Sequence, residues 1–161
     1  MRRRDFIKAI VGSTIACPLA ANAHSTGEVR RIGVLMYSNL QDAEAHERLA
    51  AFENRLRLLG WDNLQIDYRW GDGDLNRILA YGAELVALAP DVLLGTNAAT
   101  TEALQKATNA IPVVFVQVAD PVASGFVKSL ARPGGNLTGF THFEYPIAGK
   151  WLEMLKEIAP S

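Results

Sequence analysis

Short, nearly continuous apolar runs alternate with segments of helical period along most of the chain, and that alternation limits the fold more than any other feature. Arg31 to Tyr37 holds Ile32, Val34, Leu35 and Met36 almost unbroken, the pattern of a strand buried on both faces. Ala45, Leu49, Phe52, Leu56 and Leu59 then step by three and four, with Glu44, Glu47, Arg48, Glu53, Arg55 and Arg57 on the other side, and Gly60 stands where a glycine cap ends a helix. Leu64, Ile66, Tyr68 and Trp70 alternate with polar residues, as in a half-buried strand toward a sheet edge. Gly71-Asp72-Gly73-Asp74 turns into a second helix with Leu75, Ile78, Gly82, Leu85 and Ala89 on its inner face, stopped by Pro90. Further strands are expected at Asp91 to Gly95, Val113 to Val118 and Leu137 to Thr141. Helices are expected at Ala98 to Thr108, briefly through Phe126, Val127 and Leu130, and finally along Trp151, Leu152, Leu155 and Ile158. Strict alternation with crossovers of this length predicts parallel strands with helices on both faces: an α/β, doubly wound, five-stranded sheet of flavodoxin-like order 2-1-3-4-5.

In such a sheet, ligands bind beyond the carboxyl ends of the strands where the strand order reverses. Four loops qualify: Ser38-Asn39, Thr96-Asn97, Asp120-Pro121 and Thr141-His142. Ser38 either hydrogen-bonds a solute or caps the next helix. Thr96-Asn97 opens a helix, whose free N–H groups attract an anion unless Asn97 is only a cap. Asp120 either holds an ammonium group or starts a turn before Pro121. His142 has no neighbour at ligand spacing and reads as a surface residue, while Trp61, Trp70 and Trp151 read as packing. No loop pairs a nucleophile with a base. The junction after the first strand, Tyr37 to Asp42, contains no glycine, and no phosphate loop ending in Lys-Ser or Lys-Thr occurs, which argues against a nucleotide enzyme.

Charge and cysteine usage remove further classes. A net charge of −1 lacks the basic face that nucleic acid requires. With 49% apolar residues in 161, the chain can build one domain core. The first 23 residues read as a leader, with a basic start, the apolar run Ala9 to Ala16 and the small–x–small site Ala21-Asn22-Ala23. Arg3, Arg4, Phe6 and Lys8 fit the twin-arginine export pattern, against an ordinary secretory signal as the alternative. The single cysteine, Cys17, lies inside this leader, so the mature chain from His24 has no thiol chemistry, and lipid anchoring at Cys17 is the lesser reading. A periplasmic protein without cofactor is expected.

Several segments together resemble a known family. They are Ile32-Gly33-Val34-Leu35, Ile66 to Gly73, Pro112 to Val116, Asp120-Pro121-Val122, Gly125-Phe126-Val127, Ser129 to Gly139 with its Arg132-Pro133-Gly134-Gly135-Asn136, and Leu152 to Pro160. In this order they are similar to the ABC-transporter substrate-binding family that includes tryptophan- and tyrosine-type uptake proteins. The resemblance implies a type I periplasmic binding protein with two lobes closing on a small solute, delivery to a transporter permease, and no catalysis. It places Ser38, Thr96, Asn97, Asp120 and Thr141 on the cleft-facing loops of the first lobe. Family members are about twice as long, so residues 24–161 are expected to be the N-terminal lobe alone, with the second lobe absent. Either the chain is a truncated reading frame, or a partner chain or second copy supplies the rest of the cleft; a lobe that only dimerises, or an exported flavodoxin-like enzyme, are the rival readings.

Overall fold

The computed structural model describes residues 29–141 and 146–159. The leader with Arg3, Arg4, Phe6, Lys8 and Cys17 lies outside these residues, as does His142. Five parallel strands, β1 (Arg30–Met36), β2 (Leu64–Trp70), β3 (Val92–Gly95), β4 (Val113–Val118) and β5 (Leu137–Thr141), lie in the order β2-β1-β3-β4-β5. The expected order is therefore correct, and β2 is an edge strand as its polar alternation implies. Four helices complete the described architecture: α1 (Ala43–Leu58), α2 (Leu75–Ala87), α3 (Ala98–Ala107) and α4 (Pro146–Ile158).

Local chemistry sets the element ends. Asp42 caps α1 by accepting from the Ala45 N–H at 3.1 Å, and Asp74 caps α2 through the N–H groups of Asn76 and Arg77. Each satisfies donors that a helix start leaves without partners. Gly60 ends α1 with a φ of +85°, where a side chain would be strained. Asn97 and Thr100 form a reciprocal capping box at α3.

Alternation sorts the strand side chains onto two faces. Leu35, Leu93, Val113, Phe115, Val118 and Leu137 form one core with Ile78 and Leu85 of α2 and Ala103 and Leu104 of α3. Ile32, Val34 and Met36 form a second core with Ala45 and Leu49 of α1. Gly33 lets α2 settle against β1, because a Cβ there would stand 2.7 Å from Leu93 Cδ2 and 3.3 Å from Leu85 Cδ2. Its role is packing, which removes the invitation it offered to a nucleotide reading.

Three expectations need correction. No helix forms through Phe126, Val127 and Leu130: Gly125 adopts a φ of +74° and breaks the single turn that Asp120 starts. Phe126 and Val127 are buried as adjacent anchors, while Leu130 is exposed. Leu59, Leu75 and Ala89 lie at helix ends beyond the reach of the core and are exposed. Trp151 is exposed, and so is every other residue of α4 from Gly149 onward, Leu152, Leu155 and Ile158 included.

Candidate functional site

At the carboxyl ends of β1 and β3 the fold opens a cavity of about 600 Å³. Its rim is polar, formed by Tyr37, Ser38, Thr96, Asn97 and Gln117. Its floor is apolar, formed by Leu49 and Phe52 of α1 with Leu94, Val114, Val116 and Phe140 of the sheet. Polar groups of small number above an apolar surface are the usual composition of a small-molecule site.

Each expected residue has a definite place. Ser38, Thr96 and Asn97 meet at the rim. Ser38 does not cap α1, since Asp42 does; its hydroxyl takes no hydrogen bond from the described residues, and its carbonyl accepts from Asp72 N–H at 3.3 Å. Thr96 is a structural link: its Oγ1 donates to the Leu35 carbonyl at 3.0 Å and accepts from the Tyr37 N–H at 3.3 Å, fastening β3 to the end of β1. Asn97 accepts from the Thr100 N–H at 2.9 Å while its own N–H donates to Thr100 Oγ1 at 3.0 Å. Thr100 and Thr101 are fully buried beneath it, and Thr101 Oγ1 donates to the Asn97 carbonyl at 2.6 Å. The Oδ1 of Asn97 and the hydroxyls of Thr100 and Thr101 are thus spent on one another, while the Nδ2 amide of Asn97 donates to none of the described residues. The N–H groups of Ala98 and Ala99, in the first turn, lack intrahelical acceptors and lie at the positive end of the helix.

Asp120 and Thr141 do not line this cavity. Asp120 Oδ1 accepts from the Ala123 N–H at 2.9 Å, so the residue does start the turn before Pro121. Thr141 Oγ1 donates to the Ala119 carbonyl at 2.9 Å and ties β5 to the end of β4.

Gln117 escaped the reading of the sequence. It has a φ of +57° inside a strand, at a register shift between Phe115 and Val118. The other non-glycine residues with positive φ, Asp72 and Ala89, sit in a turn and just past a helix end. A left-handed conformation costs an L-residue about 1 kcal/mol. The signal was present: in Val113-Val114-Phe115-Val116-Gln117-Val118, a polar residue falls on the parity of the buried Val113 and Phe115.

The charged side chains at the edge of the cavity are committed. Arg48 pairs with Glu44 one turn earlier on α1, and Asp42 is the α1 cap. The carboxylates that the fold holds below their ordinary range lie elsewhere. Asp67 is held down by its hydrogen bond from Arg31, and Asp91 by the Arg31 backbone N–H and then by Arg30. Burial and the hydrogen bond to Glu53 raise the Tyr68 hydroxyl above its usual value. Among the described residues, no three His, Cys, Asp or Glu side chains converge as a metal site, and no helix is long and apolar enough to cross a membrane.

The family model of ABC transporter substrate binding proteins matches residues 30–161. A "Tyrosine-binding protein" of Clostridioides difficile is 32% identical over 99 residues, which are 62% of this chain and 28% of that protein. An ABC domain from Streptococcus pneumonia in complex with L-Trp superposes with a TM-score of 0.65 at 28% identity, over 71% of this chain and 39% of that one. The ligand-free, open form of a substrate binding protein with adhesive properties from Clostridium difficile superposes with a TM-score of 0.68 at 28% identity, over 83% and 45%. The chain therefore spans less than half the length of these relatives.

Proposed function

Because the chain belongs to the ABC transporter substrate-binding protein family, we propose that it binds an amino acid outside the cytoplasm for delivery to a transporter permease, with the described residues forming one wall of a two-lobed cleft. The observation that carries this reading is the rim of Ser38, Asn97 and Gln117 over an apolar floor, at the start of α3, whose Ala98 and Ala99 N–H groups lack intrahelical acceptors. Those N–H groups suit the carboxylate of a zwitterion, which needs donors and a positive helix end more than a full counter-charge. The ammonium falls to the opposing lobe, since Asp120 does not line this cavity. The tyrosine and L-Trp named for two relatives support an aromatic amino acid as the solute. The twin-arginine pattern at Arg3 and Arg4 supports export to the periplasm.

The test is a thermal-shift series on the purified chain with the twenty amino acids, L-tryptophanamide and tryptamine. A ligand at a hundred times its dissociation constant stabilises the folded state by about 2.7 kcal/mol, a rise of several degrees in a domain of this size. L-tryptophan or L-tyrosine should raise the melting temperature, and tryptophanamide and tryptamine, which lack the carboxylate, should not. Equal shifts with all three indole compounds would refute carboxylate recognition at α3. A second reading, a lobe that self-associates and holds no solute, is favoured by the exposure of Phe140 beside the apolar floor. A dimer on size-exclusion chromatography with no thermal shift would select it.

A further inference from the structure

The strained position in β4 has a definite geometric effect. In a regular strand Gln117 would follow Val113 and Phe115 into the core under α3, and Val118 would face the opposite side with Val114 and Val116. The irregularity between Phe115 and Val118 reverses this. Val118 joins Val113 and Phe115 in the core, 1% exposed, and Gln117 is turned out to the cavity rim across from Ser38 and Asn97. Bulges beside binding sites commonly re-aim a side chain in this way. The Gln117 carboxamide takes no hydrogen bond from the described residues, so the protein retains a strained backbone to present a side chain it does not itself use.

We propose that Gln117 is a solute-contacting residue, whose carboxamide hydrogen-bonds the polar end of the bound amino acid at the mouth of the cavity. The proposal rests on the amino-acid reading above. A carboxamide carries both a donor and an acceptor, so it can serve the carboxylate and the ammonium of a zwitterion without adding charge to the rim. A free anion or cation gains only half of that, which makes Gln117 a selector for solutes of zero net charge.

The test uses the full chain labelled with ¹⁵N and titrated with L-tryptophan into the millimolar range, where weak binding by a single wall is still read. The side-chain amide of Gln117 should shift along a saturable curve shared with that of Asn97. In Gln117→Gly, which is free to adopt the positive φ, the dissociation constant should rise about tenfold, as loss of one hydrogen bond to a charged group implies. Its melting temperature should be unchanged or higher, because the left-handed strain is relieved. Gln117→Asn tolerates the same conformation and keeps the amide, and its affinity should fall between the two. A Gln117→Gly protein that binds within twofold of the parent would overturn the proposal and leave the bulge as a device to bury Val118. So would one that melts several degrees lower, since the side chain would then be supporting the fold. A parent protein that shifts with none of the twenty amino acids would remove the amino-acid reading itself, and this proposal with it.

Discussion

The two faces of the sheet are finished to different degrees. Under α2 and α3, Leu35, Leu93, Val113 and Phe115 are all 1% exposed or less and belong to one continuous core with Ile78, Leu85 and Leu104. On the opposite face α1 covers β1, where Val34 and Met36 are buried, and only partly buried residues of β2 and β3 pack against that cluster. Leu94, Val114 and Val116 are only half-buried, and Phe140 is 72% exposed. Parallel strands of this composition call for cover on both sides. The finished face therefore holds the fold, and the unfinished one carries the cavity and the surface left for contact.

That contrast can be broken most directly within one strand. Phe115→Ala empties a core position that also packs on Phe126 at a centroid distance of 6.4 Å, and should cost about 3–5 kcal/mol in urea denaturation. Val116→Ala, one residue on and facing the open side, should cost under about 1 kcal/mol. Comparable losses would mean that the half-roofed face is as well packed as the other.

The amino-terminal rim should respond alike on both sides. Asp91 there accepts from the Arg31 N–H at 2.7 Å and from Arg30 Nη1 at 2.8 Å, and Asp67 from Arg31 Nε at 2.6 Å. Both carboxylates are held below their ordinary range, so their support is complete above about pH 4 and is lost as the pH falls below that, through their folded-state values. Asp91→Asn should cost about 1 kcal/mol at pH 7 and flatten the acid limb of a melting-temperature profile. An acid limb identical to that of the parent would show that other groups drive acid unfolding.

The smallest effect is expected at Phe140→Ser. Stability should stay within about 0.5 kcal/mol, while fluorescence of a bound apolar dye falls. Unchanged dye binding would place the sticky surface elsewhere, for instance on the exposed side of α4.

Strand order and helix ends were legible because period and capping are local: Ile32 to Met36 shows a buried strand, and Asp42, Asp74, Gly60 and Asn97 mark ends by their own chemistry. The site was legible only as a set of loops. Thr96 looked like a ligand residue, and nothing near it in sequence reveals that its hydroxyl is claimed by a carbonyl on β1, 61 residues away. Phe126, Val127 and Leu130 look helical because their spacing fits one helix face, yet Gly125 turns the chain first. Gln117 was visible only as a parity error in an otherwise apolar strand, which requires the register of β5 for its meaning.

The capping box at α3 has an evolutionary consequence. Asn97 Oδ1 and Thr100 Oγ1 occupy each other, so what the start of that helix offers a visitor is main-chain N–H and the Nδ2 amide of Asn97. The main-chain N–H is the same for every residue but proline. A lineage acquiring a new solute could keep those N–H groups through any substitution at Ala98 and Ala99 other than proline. A codon change at Ser38, Asn97 or Gln117, by contrast, alters what the rim presents.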